Sequence, residues 1–399
     1  MYNVPPVIYF DNAASTPLLP IALERLNELN ATIYGNSSSS HKIGRLAQEI
    51  LSQAQEKLGR HFKVPPQHIL FTSGGTESNN LAIWGALGGL TQGIQWLSNT
   101  SKSKLITSCI EHDSVKNVFA ALEQLGASIS WIKVNSEGSL DLNHLESELN
   151  SRTKLISIHH IQNEIGVIQD LKTICSIIRK KQPDALIHTD TVQSFLKIPI
   201  DFEELGIDLL SISGHKIGGP KGIGVLVLGP RFQTRNPKLG NLLYGSTHQW
   251  GIRPGTVPVP SIGGLCTAID WGIKNFDQNL KHITGLRDHF IKTLPAQVLL
   301  NGPANTSLNR SPQTINFSIP QLPASVTLEA LAMQGYCVSA GSACHSTNPK
   351  PNETLLKMGL GKERALSSIR VSLAHNNTLE EVDGFTTLLI QIIKQHKIQ

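Results

Sequence analysis

Residues 155–190 read Leu155-Ile-Ser-Ile158, then an amphipathic run over 170–182, then Ile187-His-Thr-Asp190. A short apolar run, a helical period and a second short apolar run make a strand, a crossover helix and another strand, the unit of a parallel sheet. The alternation extends both ways. Strands are expected at Ile69-Phe71, Leu105-Thr107, Leu209-Ile212 and Val225-Leu228, with helices over 41–62, 76–90, 113–125 and 141–150. The first two thirds of the chain thus predict an α/β domain with a parallel sheet covered on both faces. Gly and Pro become frequent over 229–263, which reads as loops and a boundary. Beyond it, strands at 314–318 and 369–373 precede a helix opened by the capping box Thr378-Leu-Glu-Glu381. Val382, Phe385, Leu388, Leu389, Ile392 and Ile393 share one face of that helix. This part reads as a smaller α+β domain.

The chain has 399 residues, 40% of them hydrophobic and 16% charged, the composition of a globular protein that builds its own core. The net charge of +5 is small, and Arg179-Lys180-Lys181 reads as a solvated helix end, so nucleic acid is not expected as a partner. The start shows no signal-peptide pattern and no apolar run approaches a membrane span. The cysteines at 109, 175, 266, 337 and 344 are odd in number and form no C-x-x-C pair, against both a disulfide framework and a zinc site. A cytoplasmic protein, without membrane or metal, is the expectation.

Ligands of parallel α/β domains bind beyond the carboxyl ends of the strands. Polar residues cluster there: Thr72-Ser-Gly-Gly-Thr-Glu77, Glu111-His112, Gln162-Asn-Glu164, Asp190 with Gln193, and Ser213-Gly-His-Lys216. The turn around Gly75 and Thr76 offers amides and hydroxyls at a helix N-terminus, an anion cup; alone it is equally an ordinary glycine turn. Lys216 follows a buried strand, where desolvation favours the neutral amine, although a lone Lys there would as readily snorkel to solvent. Lys216, Asp190 and the cup together are the parts pyridoxal phosphate requires: a Schiff-base lysine, a carboxylate for a pyridinium nitrogen and a phosphate site. His112 is a candidate for the ring face or for proton transfer. The adjacent His159-His160 carries no such signal, since strand alternation points the two apart. Cys344 sits in Gly341-Ser-Ala-Cys-His-Ser-Thr-Asn-Pro-Lys350, the setting of an exposed, reactive thiol or of an incidental loop cysteine.

Taken in order, Tyr9-Phe-Asp-Asn-Ala-Ala14, Gly35-Asn36 to His41, Thr72 to Ser78, Asn163-Glu-Ile-Gly-Val-Ile168, His188-Thr-Asp-Thr-Val-Gln193, Ser213 to Gly222, Arg253-Pro-Gly-Thr256, Gly341-Ser-Ala-Cys344 and Ser368-Ile-Arg370 resemble the cysteine desulfurases of the NifS/IscS type. That family lies in the class V aminotransferase group of pyridoxal-phosphate fold type I. The resemblance runs nearly end to end. It implies a mostly parallel seven-stranded sheet in a large domain at 17–260, with 1–16 and 261–399 forming the smaller domain and its cysteine loop.

It also implies roles. Lys216 carries the cofactor and moves a proton; Asp190 meets the pyridinium nitrogen, Gln193 the phenolic oxygen, and His112 the ring. Asn163 also belongs to the cofactor set. Gly75, Thr76, Ser213 and His215 hold the phosphate, and Thr256 reaches the phosphate of the other subunit of a homodimer. Asn36, Asn163 and Arg370 bind the substrate carboxylate, and Cys344 attacks the sulfur of L-cysteine. The separation of Cys344 from Arg370 resembles the long-loop group. Ser37 and Gln162 depart from the family's usual Pro and Asn. The activity implied is L-cysteine to L-alanine, with sulfur passed from Cys344 to an acceptor such as an iron–sulfur scaffold. A selenocysteine or cystine C–S lyase on the same fold is the alternative, and a sulfur-relay protein without cofactor chemistry is a third reading.

Overall fold

The computed structural model describes residues 7–89, 103–232, 239–304, 309–340 and 350–396. Its large sheet has seven strands: β2 (Ile69–Thr72), β3 (Lys104–Ser108), β4 (Ser128–Ile132), β5 (Thr153–Ser157), β6 (Leu186–Asp190), β7 (Leu209–Ser213) and β8 (Gly224–Leu228). They lie in the order β2-β8-β7-β6-β5-β3-β4. Every neighbouring pair is parallel except those made by β8, which runs against both β2 and β7. The sheet is therefore mostly rather than wholly parallel. The cause is the short link from β7 to β8, which holds only a tight turn over Gly214–Lys216 and a loop; a parallel return needs a crossover of a dozen or more residues.

Helices α2 (Lys42–Phe62), α3 (Gly75–Ala86), α4 (Asp113–Gln124), α5 (Leu142–Glu148) and α6 (Leu171–Lys181) fall within a few residues of the expected spans. A first helix, α1 (Pro20–Thr32), begins at a proline and was not signalled by its weak apolar period. Nor was the edge strand β4, whose Ser128 and Ser130 alternate with Ile129 and Trp131 and dilute its apolar run.

Helix α7 (Val259–Lys274) buries Ile262, Leu265 and Ile269 in the same core as the large sheet. A second core begins with α8 (Phe276–Thr293). There β10 (Thr314–Ser318) pairs antiparallel with β9 (Leu299–Asn301) and with β12 (Ser368–Ser372). Two further short strands, β1 (Ile8–Tyr9) and β11 (Tyr336–Cys337), pair in parallel. Phe10, Phe290 and Phe317 pack against Phe385 of α9 (Leu379–Gln395), whose capping box forms as its sequence predicts. Among the described residues no helix is long and apolar enough to cross a membrane.

The centre of the large sheet is polar where it must be shape-filling as well. His188 on β6 is wholly buried between Ser157 (2.8 Å) and Ser211 (3.0 Å). Burial pushes it down to about 4, and His160 is held at about 4 by burial and by its neighbour His159. Both are neutral in the folded chain, while in the unfolded chain each titrates near about 6.5. The unfolded state binds more protons between these values, so stability should fall as pH drops from about 6.5 toward about 4. Urea midpoints at stepped pH should show this decline, and a flat profile from neutrality to pH 5 would contradict it.

Candidate active site

The carboxyl ends of the parallel strands open onto a cavity of about 270 Å³ lined by Gly75, Thr76, His112, Asn163, Asp190, Gln193, Ser213, His215 and Lys216. The turn from β2 into α3 makes one wall. Gly74 holds φ 152°, open only to glycine, and a Cβ on Gly75 would lie 2.8 Å from Val192 Cγ2. The helix start is thereby pressed against the ends of β6 and β7, with its first amides, which lack intrahelical partners, facing the cavity. Glu77 accepts from Ser73 N (2.7 Å) and from Arg253 Nε (2.8 Å). Burial disfavours its carboxylate, yet the bonds from Arg253 and Ser73 outweigh it and hold the pKa below the ordinary range.

Lys216 Nζ donates to the carbonyls of Ala13 and Ala14, the latter at 2.8 Å. Burial, reinforced by Arg370, lowers its pKa to about 8 against the pull of Asp11, Asp190 and Glu164. His215 is pushed down to about 4 by burial and by Lys216, and its Nδ1 lies 3.2 Å from Ser15 Oγ. Gln193 Nε2 donates to Ala13 O at 2.9 Å. Residues 11–16 therefore form a strap across the site, tied to it at several points.

Asp190 is buried and makes no ion pair among the described residues; it accepts from Asn79 Nδ2 (2.8 Å) and Val192 N (2.9 Å). Asn79 Nδ2 also donates to Ser114 Oγ, which stands 2.8 Å from His112 Nδ1. Because Ser114 N donates to that same Nδ1, neutral His112 carries its proton on Nε2. Sequence pattern alone does not mark Asn79 or Ser114 as site residues. Asn79 stands one helical turn after Gly75 on α3, and that spacing was the available signal. His159, to which strand alternation gives no role, also lines the cavity; its Nδ1 lies 2.8 Å from the buried Glu111 carboxylate, which also accepts from His159 N.

An adjoining cavity of about 400 Å³ shares His112, Asn163, Gln193 and Lys216 and is closed by Arg370, Asp11 and Glu164. Arg370 donates to Asp11 Oδ1 (2.9 Å), to Glu164 Oε1 (3.2 Å) and to Asn163 O (3.2 Å). Gln162 Oε1 accepts from the amides of Glu164 (2.6 Å) and Ile165 (2.9 Å), so this departure from the family pattern still fixes the loop that presents Asn163. Ser339 and Asn352 stand on the rim of the same cavity. Cys344 lies between them in sequence and outside the described residues. Asn36 and Thr256 line neither cavity; Asn36 turns its Oδ1 to Ser38 N (3.0 Å), and Thr256 is exposed.

Residues 8–385 match the aminotransferase class-V family, and the chain belongs to it. It is 36% identical over 391 residues to a cysteine desulfurase IscS of Dictyoglomus turgidum, covering 97% of this chain and 95% of that one. Among solved structures, a NifS-like protein matches with a TM-score of 0.86 at 30% identity, over 97% of this chain and 99% of that one. SspA in complex with cysteine matches with a TM-score of 0.76 at 31% identity, over 93% and 99%. Family membership makes pyridoxal phosphate the cofactor, and the residues fit it. An anion cup, an amine whose protonation burial disfavours and a buried carboxylate with no ion pair among the described residues share one cavity.

Asn79→Leu should keep the fold but leave Asp190 without its side-chain donor. A hydrogen bond to a charged group is worth about 1.5–3 kcal/mol, so titration of the cofactor-free protein with pyridoxal phosphate should show binding weakened about tenfold or more. Unchanged affinity would remove Asn79 from the cofactor site.

Proposed function

We propose that the protein is a pyridoxal-phosphate-dependent cysteine desulfurase: L-cysteine becomes L-alanine and its sulfur is left as a persulfide on Cys344. The observation that carries this reading is the sharing of Lys216 between the cup-and-carboxylate cavity and the Arg370 cavity, with Ser339 and Asn352 at the rim. A cofactor lysine, a carboxylate clamp and both approaches to a cysteine-bearing segment meet at one place.

In this reading Thr76, Ser213, His215 and the amides from Gly75 onward hold the phosphate, Asp190 the ring nitrogen, Gln193 the phenolic oxygen, and His112 covers the ring. Lys216 holds the cofactor through its amine. Bound there, pyridoxal phosphate supplies an electron sink for charge developing at the substrate Cα. Arg370 takes the substrate carboxylate as a planar fork, with Asn163 beside it, in exchange for Asp11. Lys216, whose desolvation brings its basicity close to neutral pH, would accept the Cα proton. The Cys344 thiolate attacks the substrate sulfur; the S–S bond forms as the Cβ–S bond breaks with its electron pair left on the carbon side, Lys216 returns the Cα proton, and a proton delivered to Cβ completes alanine. His112, with its proton on Nε2, is the candidate to exchange that proton.

Thr256 belongs to a homodimer in this reading, entering the cup of the partner subunit. Its exposure supports this, as does that of nearby Tyr244 (64%) and Trp250 (54%), two large side chains that a monomer would leave in water. The persulfide is then handed to a sulfur-acceptor protein such as an iron–sulfur scaffold.

Lys216→Ala should lower alanine formation from L-cysteine by roughly two to four decades, the loss expected for a general base alone. Near-normal turnover would sink its assignment. Cys344→Ser should keep the cofactor absorbance and bind cysteine, yet release no alanine, because a hydroxyl supplies essentially no anion at neutral pH. In the unaltered protein, limiting cysteine without reductant should add one sulfur to the peptide containing Cys344, read by mass spectrometry. Sulfur found on Cys337 instead would redirect the mechanism.

A further inference from the structure

Lys216 also lines a third cavity, about 310 Å³, which shares no other residue with the cofactor cavity and is within the range that accepts small ligands. Its walls are mainly apolar, with Leu19, Leu196 and the paired rings of Trp271 and His375 (centroids 4.6 Å apart). No carboxylate lines it among the described residues. Two of its lining side chains carry buried polar atoms without hydrogen-bond partners among the described residues: Lys197 Nζ, a donor, and Asn12 Oδ1, an acceptor. Burial, with Lys216 nearby, pushes Lys197 down to about 7, the state of an amine that nothing yet neutralises. The backbone beside it is strained. Leu196 holds φ 60°, rare for a branched residue, and is seated where any Cβ on Gly272 would come within 2.6 Å of its Cδ1. Strain of this kind persists only where the surroundings enforce it, and it concentrates at ligand sites.

We propose that this cavity binds a small apolar monocarboxylic acid bearing a hydroxyl or amino donor, its carboxylate on Lys197 and its donor on Asn12. The chemistry is complementary on each count. An anion restores the charge that burial costs Lys197, a donor satisfies Asn12, and an apolar body covers Leu196 and Trp271. The proposal stands apart from the desulfurase reading, because neither Lys197 nor Asn12 is used there.

Calorimetric titration of the holoenzyme with α-hydroxyisocaproate and with isocaproate tests it. The hydroxy acid should bind, and the acid lacking the donor should bind several-fold more weakly. Lys197→Met, close in length and relieved of an unpaired amine, should fold at least as stably by thermal melting and weaken the hydroxy acid at least about tenfold. Arg370→Lys should leave this binding intact, separating the cavity from the substrate carboxylate site. No binding to the unaltered holoenzyme at millimolar ligand would overturn the proposal. So would binding that Arg370→Lys removes and Lys197→Met leaves unchanged.

Discussion

The site is organised around one desolvated amine. Lys216 projects from the turn that ends β7 into a space where water is largely excluded, and an ammonium left there alone would be costly. The carbonyls of Ala13 and Ala14 offset that cost, and they do so only because the N-terminal strap crosses the cleft. The same strap gives Asp11 to Arg370 and Ala13 O to Gln193. Asn12 Nδ2 donates to Ser372 O, and Ala13 N to Ser372 Oγ, anchoring the strap on β12. Removing the strap would therefore take a partner from Lys216, Arg370 and Gln193 together.

A second constraint is polar satisfaction below the cavity. Asp190, Asn79, Ser114 and His112 form a connected chain from a buried carboxylate to a half-open ring, and each member fixes the orientation of the next. Such networks are rigid when complete and expensive when broken. The Glu111–His159 pair does the same on the neighbouring wall, bringing a carboxylate to the site already engaged by a ring and an amide.

The Arg370 guanidinium is held by acids rather than by apolar packing. Asp11 and Glu164 hold the guanidinium near the geometry a substrate carboxylate would require, and bidentate recognition depends on that planar orientation. In the proposed role an incoming carboxylate would replace a like group, with little reorganisation of the guanidinium. Cys175 and Cys266 sit at the opposite extreme of reactivity: burial pushes both thiols up to about 12, and neither competes as a nucleophile.

Local sequence determined the layers of this protein. Apolar period and turn chemistry, as at Leu155–Ile158 and Thr378–Glu381, act over a few residues, so strands, helices and the polar residues at strand ends were legible before any contact was known. Lys216, Asp190 and the Gly74-Gly75 turn could be named because each lies at or just beyond the carboxyl end of a strand. Tertiary structure alone decided what depends on residues distant in the chain. The reversed β8 follows from a link too short to cross over, and the dilute edge strand β4 is held by pairing with β3. The strap across Lys216 joins residues some two hundred positions apart, and the roles of Asn79, Ser114, His159 and Lys197 come from neighbours that sequence spacing does not encode. Burial and hydrogen bonding across the fold set those roles, since a side chain's pKa and orientation are properties of its surroundings.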